Sequence, residues 1–446
     1  MYVVIVGVGE VGLHIAAILS QEGHNVALIE RDLDRLSKAA QEIDALSVMG
    51  NGASKRVLLQ ADVTHANILI AVTDSDEVNM IACMVAKRVG VPLTIARVRN
   101  ADYLESAEAV SSELTGIDYV IQPEAAVAEE IGKLADFPGA LEVESFAGGQ
   151  VRMLEIQVDE ESSGAGKAIV EMGLPREVLV TGVLRGDTIT IPRGDTVLSA
   201  GDRVFLAGQP AAVREAAGLL SLKMKTPKSA ILLGCGEMGL RVARALEARG
   251  MRLTIFEKNY ERSVEAASVL SRALVLHDEG LGESILLSEG IQDVDLFIAA
   301  TGDDRLNILA SLQAKRLGAE RTISIVERAE FSDILEAMGV DVAISPRRLT
   351  ASAVLRFVRA GEVVSAALLD KSAGEVLEFI VAEGSPIAGV PLREVRFPRG
   401  AILGVLVRGG TVHVAGGDTV PEPGDIAIVF AATDSVTAVE KLLEAR

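Results

Sequence analysis

The chain has 446 residues, material for roughly three or four domains, and 49% of them are apolar. Its apolar runs stay strand-length, far short of the ~18–20 residues that cross a bilayer, and no basic leader precedes the first strand, so a soluble cytoplasmic protein is expected. A net charge of −20 argues against nucleic acid or anionic lipid as a general partner.

The first segment alternates strand and helix signals. Tyr2 to Val6 reads as a strand and runs into Gly7-Val8-Gly9-Glu10-Val11-Gly12, a phosphate-binding fingerprint that opens a helix ending before Gly23. Val26 to Glu30 is strand two, and Asp32 caps a helix with Leu33, Leu36, Ala40 and Ile43 at helical spacing. Strand three is Ala45 to Met49, followed by Gly50-Asn51-Gly52; strand four is Ile68 to Val72, followed by Thr73-Asp74-Ser75-Asp76; strand five is Leu93 to Val98. Such alternation predicts a doubly wound parallel sheet with ligands at its carboxyl ends. From about 140 to 222 the pattern changes to short β-rich runs punctuated by Gly194-Asp195 and Gly201-Asp202, which reads as a small α+β domain.

After Pro227 the pattern restarts. Ala230 to Leu233 leads into Gly234-Cys235-Gly236-Glu237-Met238-Gly239, and Leu253 to Glu257 answers Val26 to Glu30. Thr301 and Asn307 answer Thr73 and Asn79, and Gly417-Asp418 with Gly424-Asp425 answer the two Gly-Asp turns of the small domain. The chain therefore reads as a tandem A-B-A′-B′: Rossmann-like units at 1–136 and 228–350, each followed by a small α+β unit at 140–223 and 362–446.

The glycines permit a tight turn and let backbone amides approach a pyrophosphate, which the helix dipole favours. Glu30 and Glu257 end strand two at the same distance from the last glycine. There an acid accepts both hydroxyls of an adenosine ribose and repels a 2′-phosphate, which favours NAD over NADP; ATP or ADP presents the same ribose. Arg31 adjoins Glu30, and Asn51 and Gly52 stand where the adenosine edge is expected. Thr73 and Asp74 close strand four, and Arg97 ends strand five within reach of a phosphate. In the second copy, Asp278 lies in the loop after strand three and Thr301 at the strand-four turn, while Glu327 matches Arg97 by motif, so the second site lacks that cation. The first site is therefore expected to hold the more highly charged or more tightly bound nucleotide. Cys83 reads as core and Cys235 lies inside a glycine loop; neither has disulfide or metal spacing, nor do the five histidines. No acid–base constellation for hydride transfer is visible.

These motifs resemble the tandem RCK/KTN family of Trk potassium-uptake regulatory proteins. The resemblance rests on both glycine loops with Glu30 and Glu257, the run Ala71 to Asn79, Ala96-Arg97-Val98, Ile344-Ser345-Pro346 and the paired Gly-Asp turns, and it covers essentially the whole chain. It implies a non-enzymatic subunit, peripheral on the inner face of the cell membrane. Such a subunit docks on a Trk-type potassium-translocating protein, binds NAD(H) and also ATP or ADP, and self-assembles as a dimer or tetramer. A soluble NAD-dependent oxidoreductase is the competing reading.

Overall fold

The computed structural model describes residues 1–100, 102–103, 116–186, 188–222, 225–328, 330–358, 363–368 and 374–443. Strands β1 (Tyr2–Val6), β2 (Asn25–Glu30), β3 (Leu46–Met49), β4 (Ile68–Ala71), β5 (Leu93–Arg97) and β6 (Tyr119–Ile121) form one parallel sheet in the order β3-β2-β1-β4-β5-β6. Helices α1 (Glu10–Gln21), α2 (Leu33–Glu42), α3 (Lys55–Gln60) and α4 (Asp76–Arg88) cross between its strands, and α5 (Pro123–Asp136) follows β6. The sheet is buried on both faces: Val3, Ile5 and Ile70 lie in one core and Val4, Leu69 and Ala96 in another, as alternation along parallel strands requires. The sixth strand escapes sequence reading because it is three residues long, with only Ile121 buried. Asp32 caps α2 as expected, accepting from the amides of Asp34 and Arg35. Its buried stripe is Leu36, Ala39 and Ile43, however, while Leu33 and Ala40 are exposed.

Next come β7 (Ala140–Phe146), β8 (Val151–Gln157), β9 (Val178–Arg185), β10 (Thr188–Thr190) and β11 (Arg203–Gly208), an antiparallel sheet ordered β10-β9-β11-β8-β7, covered by α6 (Pro210–Leu220). The parallel plan then repeats with β12 (Ser229–Leu233), β13 (Arg252–Phe256), β14 (Leu274–Leu276), β15 (Leu296–Ala299), β16 (Arg321–Ile325) and β17 (Val342–Ile344). Their order, β14-β13-β12-β15-β16-β17, is that of the first sheet. Helices α7 (Glu237–Ala248), α8 (Tyr260–Val269), α9 (Glu283–Ser288), α10 (Asp304–Leu317), α11 (Glu330–Ala337) and α12 (Pro346–Val358) accompany it. Last are β18 (Val363–Leu368), β19 (Gly374–Ile380), β20 (Ala401–Arg408), β21 (Thr411–Val414), β22 (Ile426–Ala432) and α13 (Val436–Leu443), with the antiparallel order β18-β19-β22-β20-β21, again the plan of the first small sheet.

Among the described residues, apolar packing joins the halves at two places. The first is an exchange of helices. Val127, Ile131 and Leu134 of α5 share a core with Val242, Ala243 and Leu246 of α7, while Ala351, Val354 and Leu355 of α12 share one with Ile15 and Leu19 of α1. Each such aliphatic side chain contributes about 1.5–3 kcal/mol when fully buried, so the exchanged helices are held by several apolar contacts apiece. Tyr119 also stacks on Phe357, with ring centroids 3.8 Å apart. The second contact lays one small sheet on the other. Phe146, Met153 and Phe205 pack against Val405, Ile428 and Phe430, and a methyl group at Gly182 would come within 2.6 Å of the Phe430 ring.

Arg321 pins this arrangement from one side. It is buried at the start of β16, and its guanidinium donates to the carbonyls of Leu134, Pro138 and Ala140, where α5 ends and β7 begins. Those carbonyls include the orphan acceptors of a helix C-terminus. Burial pushes the guanidinium down to about 10, still charged at neutral pH. The first copy has Leu93 at this position, which brings no guanidinium there.

Each small sheet also carries a matching ion pair. Arg185 donates to Asp202 from Nε (2.8 Å) and Nη2 (2.6 Å), and Arg408 to Asp425 from Nε (2.8 Å) and Nη2 (2.7 Å). In each pair the guanidinium holds the carboxyl below its ordinary value of 3.8. The stabilisation is therefore complete above 3.8 and lost as pH falls through the depressed native value.

Two outcomes follow for folding. Arg321→Met leaves three carbonyls bare and is expected to destabilise the protein by about 3 kcal/mol in urea unfolding. Asp202→Asn is expected to lower stability at neutral pH and to flatten the acid-side decline below pH 3.8, read by circular dichroism across a pH series.

Candidate functional site

The two glycine loops stand at the carboxyl ends of β1 and β12, where each parallel sheet opens between diverging connections. Gly7 has φ +98°, the left-handed region that glycine enters without penalty. A methyl group on Gly12 would lie 1.9 Å from the Gly7 carbonyl oxygen, so the turn closes only with hydrogen there. Gly9 faces open space and is the N-cap of α1, where no side chain caps the first amides. The positive end of α1 therefore points out of the loop. Gly234, at φ +93°, and Gly239, whose methyl would meet the Gly234 carbonyl at 2.1 Å, repeat the turn at α7.

Glu30 is buried at the end of β2. Its Oε2 accepts from the Val8 amide (2.8 Å) and its Oε1 from those of Arg31 (2.8 Å) and Asp32 (3.1 Å). Glu257 accepts from the amides of Cys235 (2.7 Å) and Asn259 (2.9 Å). Each carboxylate thus fastens its glycine loop to the end of the neighbouring strand. With about four lone-pair positions per carboxylate, both keep acceptor capacity for a hydroxyl.

Two cavities meet at the first loop. The smaller, about 180 Å³, is lined by Gly7, Gly9, Glu30, Arg31, Asn51, Gly52, Thr73 and Asp74. The larger, about 520 Å³, continues into the cleft between the halves. Val8, Glu10, Val11 and Arg97 line it, together with Arg35, Lys38 and Arg99, and the second half contributes Met238, Glu327 and Arg347. Gly12 stands behind the loop and closes the turn. The candidate residues of the first copy are therefore gathered at one place. Arg35, Lys38, Arg99 and Arg347 belong to no motif. Arg347 in particular arrives through the exchanged helix α12, which no local pattern announces.

Charge in the cleft is balanced by neighbours. Arg97 donates from Nη2 to the Thr73 carbonyl (2.8 Å) and to Asp74 Oδ1 (3.0 Å), and Arg99 donates to the Asp74 carbonyl (2.6 Å). Arg347 pairs with Glu10 across the halves and donates from Nε to Glu327 (3.0 Å). Burial pushes the Glu327 carboxyl up, and Asp304 adds to the effect. Burial also pushes Glu124 up, with Glu237 adding. Cys83 lies wholly in the core, as expected. Cys235 is buried as well, and its thiol is pushed up to about 11, chiefly by burial and then by Glu257, so it stays protonated at neutral pH.

At the second loop the structure revises one correspondence. Arg97 is answered by Ile325, because Ala96 and Ser324 occupy matching register positions beside Ala71 and Ala299. Glu327 answers Arg99: Asp76 accepts from the Arg99 amide as Asp304 does from the Glu327 amide. The motif comparison slips because the two strands diverge in sequence. The expected loss of the cation stands, but with an apolar residue in its place, and Glu327 faces the first cavity. Gly280 answers Gly52, since a methyl on either would strike the last residue of the first strand, Leu233 or Val6. Asp278 accepts from the Gly280 amide (2.8 Å) and Asn51 from that of Ala53 (2.9 Å), so each loop carries an Asx-type turn, one residue earlier in the second copy. Thr301 packs against Gly234 as Thr73 does against Gly7. Glu237 lies beside Glu124, where the first loop has Glu10 beside Arg347.

Among the described residues there is no cluster of metal-ligating side chains, and no helix is long and apolar enough to cross a membrane.

Comparison with known proteins places this geometry. The TrkA-N domain model matches residues 3–123 and 230–346, and the TrkA-C domain model matches 153–221 and 376–444. The Trk system potassium uptake protein TrkA homolog 1 of Methanosarcina mazei is 35% identical over 449 residues, covering 99% of both chains. The Trk system potassium uptake protein TrkA of Halomonas elongata is 34% identical, over 96% of this chain and 95% of its own. Among solved structures, the GsuK RCK domain aligns with a TM-score of 0.63 at 20% identity, over 100% of this chain and 95% of its own. The GsuK channel bound to NAD aligns at 0.64 and 19%, over 100% and 79%. With two TrkA-N and two TrkA-C domains in tandem, the chain belongs to the TrkA family of Trk potassium-uptake regulatory proteins.

Proposed function

We propose that this chain is a cytoplasmic, nucleotide-sensing regulatory subunit, peripheral on the inner face of the membrane, that gates a Trk-type potassium-translocating protein. One observation carries the reading: the cavity at the first glycine loop opens into a cleft whose cations come from both halves of the chain. An adenine nucleotide, NAD(H) or ATP/ADP, fits the donors present. Glu30 has acceptor capacity for ribose hydroxyls, Gly9 and the uncapped end of α1 leave room for phosphate, and Arg35, Lys38, Arg97, Arg99 and Arg347 line the space beyond. The GsuK channel, a structural neighbour, is known with NAD bound.

Bound nucleotide supplies negative charge between the halves. Arg347 and Arg97 then exchange their carboxylate partners, Glu10, Glu327 and Asp74, for a common anion. The spacing of α12 and α1 follows that exchange, and the difference in affinity between the two spacings is the free energy available for gating. The second loop has Ile325 for Arg97 and Glu124 for Arg347, so it favours a less charged ligand. The Rossmann units are proposed to bring chains together as dimers or tetramers. Among the described residues, none lining the cleft forms an acid–base pair suited to hydride transfer, and regulation is the reading we favour over an oxidoreductase.

Three measurements test the reading. Titration with NADH, ATP and ADP is expected to show saturable binding, and Arg347→Ala to weaken ATP roughly tenfold through the loss of one charge-assisted contact. Absence of binding by all three ligands would overturn the proposal, as would steady NADH oxidation with small carbonyl compounds. Protonating Glu124 and Glu327 removes negative charge from the cleft, so NADH affinity is expected to rise as pH falls toward their raised range above 4.5; Glu327→Gln should blunt that rise.

A further inference from the structure

Asn79 lies on α4 and is completely buried. Its Oδ1 accepts from the Thr73 amide (2.8 Å) and from Thr73 Oγ1 (2.6 Å). Its Nδ2 donates to the Thr73 carbonyl (3.0 Å) and to the Arg97 carbonyl (2.8 Å). Both amide protons and both lone pairs are used, which no other side chain of this size reproduces. Aspartate keeps the acceptor and loses both donors; leucine keeps the volume and loses everything polar.

These four bonds join two parts of the first site. Thr73 presses on the glycine loop, where a methyl at Gly7 would come within 2.9 Å of Thr73 Cγ2. Arg97 closes the circuit by returning Nη2 to the same Thr73 carbonyl that Asn79 holds. Earlier on the same helix, Asp76 accepts from the amides of Arg99 (2.9 Å) and Asn100 (2.8 Å). The first turns of α4 thus fix the backbone of both cleft arginines, Arg97 at the end of β5 and Arg99 just beyond it. The second copy supplies a natural contrast. Asn307 makes the same four bonds, to Thr301 and to the Ile325 carbonyl, where no cation depends on them.

We propose that Asn79 is a positioning residue: it sets Arg97 against the strand-four turn, so that the first site distinguishes ligands by their number of phosphates. The inference rests on the nucleotide reading above.

The test compares the affinity of ATP with that of adenosine in the full chain, by calorimetry. Asn79→Leu is expected to lower the ATP-to-adenosine ratio roughly tenfold, the worth of a misplaced charge-assisted contact. Asn79→Asp gives the same result should the leucine variant fail to fold. In an Arg97→Ala background either substitution is expected to change the ratio no further, because the effect passes through that guanidinium. Asn307→Leu removes equivalent hydrogen bonds and is expected to lower thermal stability comparably while the ratio holds. An unchanged ratio in both Asn79 variants overturns the proposal alone, as does an equal fall in the Asn307 variant. Wild-type protein that binds neither ATP nor adenosine overturns this proposal, and the nucleotide reading falls with it only when NADH and ADP also fail to bind.

Discussion

The exchange of helices α5 and α12 is the constraint on which the rest of this molecule depends. Each parallel sheet sends its last helix into the core of the other half, against the helix that begins at the other glycine loop. Neither half can bury its apolar face alone. The same exchange carries Arg347 and Glu124 to opposite glycine loops, so the interface and the sites are one structure. A change in charge at either loop is felt by a helix that belongs to the other half.

Duplication has preserved the frame and let the chemistry diverge. Sheet orders, glycine turns, Glu30 and Glu257, and Asn79 and Asn307 recur with nearly the same hydrogen bonds. The side chains that meet between the loops do not. On one side Arg347 faces Glu10; on the other Glu124 lies beside Glu237. Arg97 becomes Ile325 and Arg99 becomes Glu327. A shared scaffold thus presents two glycine loops in different charged surroundings.

Much of this was legible in the sequence. The glycine fingerprints and strand-end glutamates state backbone requirements that few other residues meet, so the parallel sheets and the gathering of residues around each loop could be read directly. The small antiparallel sheets showed through their Gly-Asp turns, whose aspartates anchor Arg185 and Arg408. What stayed hidden was non-local. β6 was too short to show a period, and Arg347, Arg321 and Glu327 act on segments from the other half of the chain. The slip between Arg97 and Glu327 had the same origin: pairing register, visible only in the sheet, decides which residues correspond.

Arg321 has a mechanical meaning. It grips the segment that leaves α5 and enters β7, from a strand of the second parallel sheet. The root of the first small sheet is therefore clamped to the opposite Rossmann unit, while the matching position of the first parallel sheet holds Leu93, which brings no guanidinium. Any load on that root is thus carried into the second Rossmann unit by three hydrogen bonds from one guanidinium.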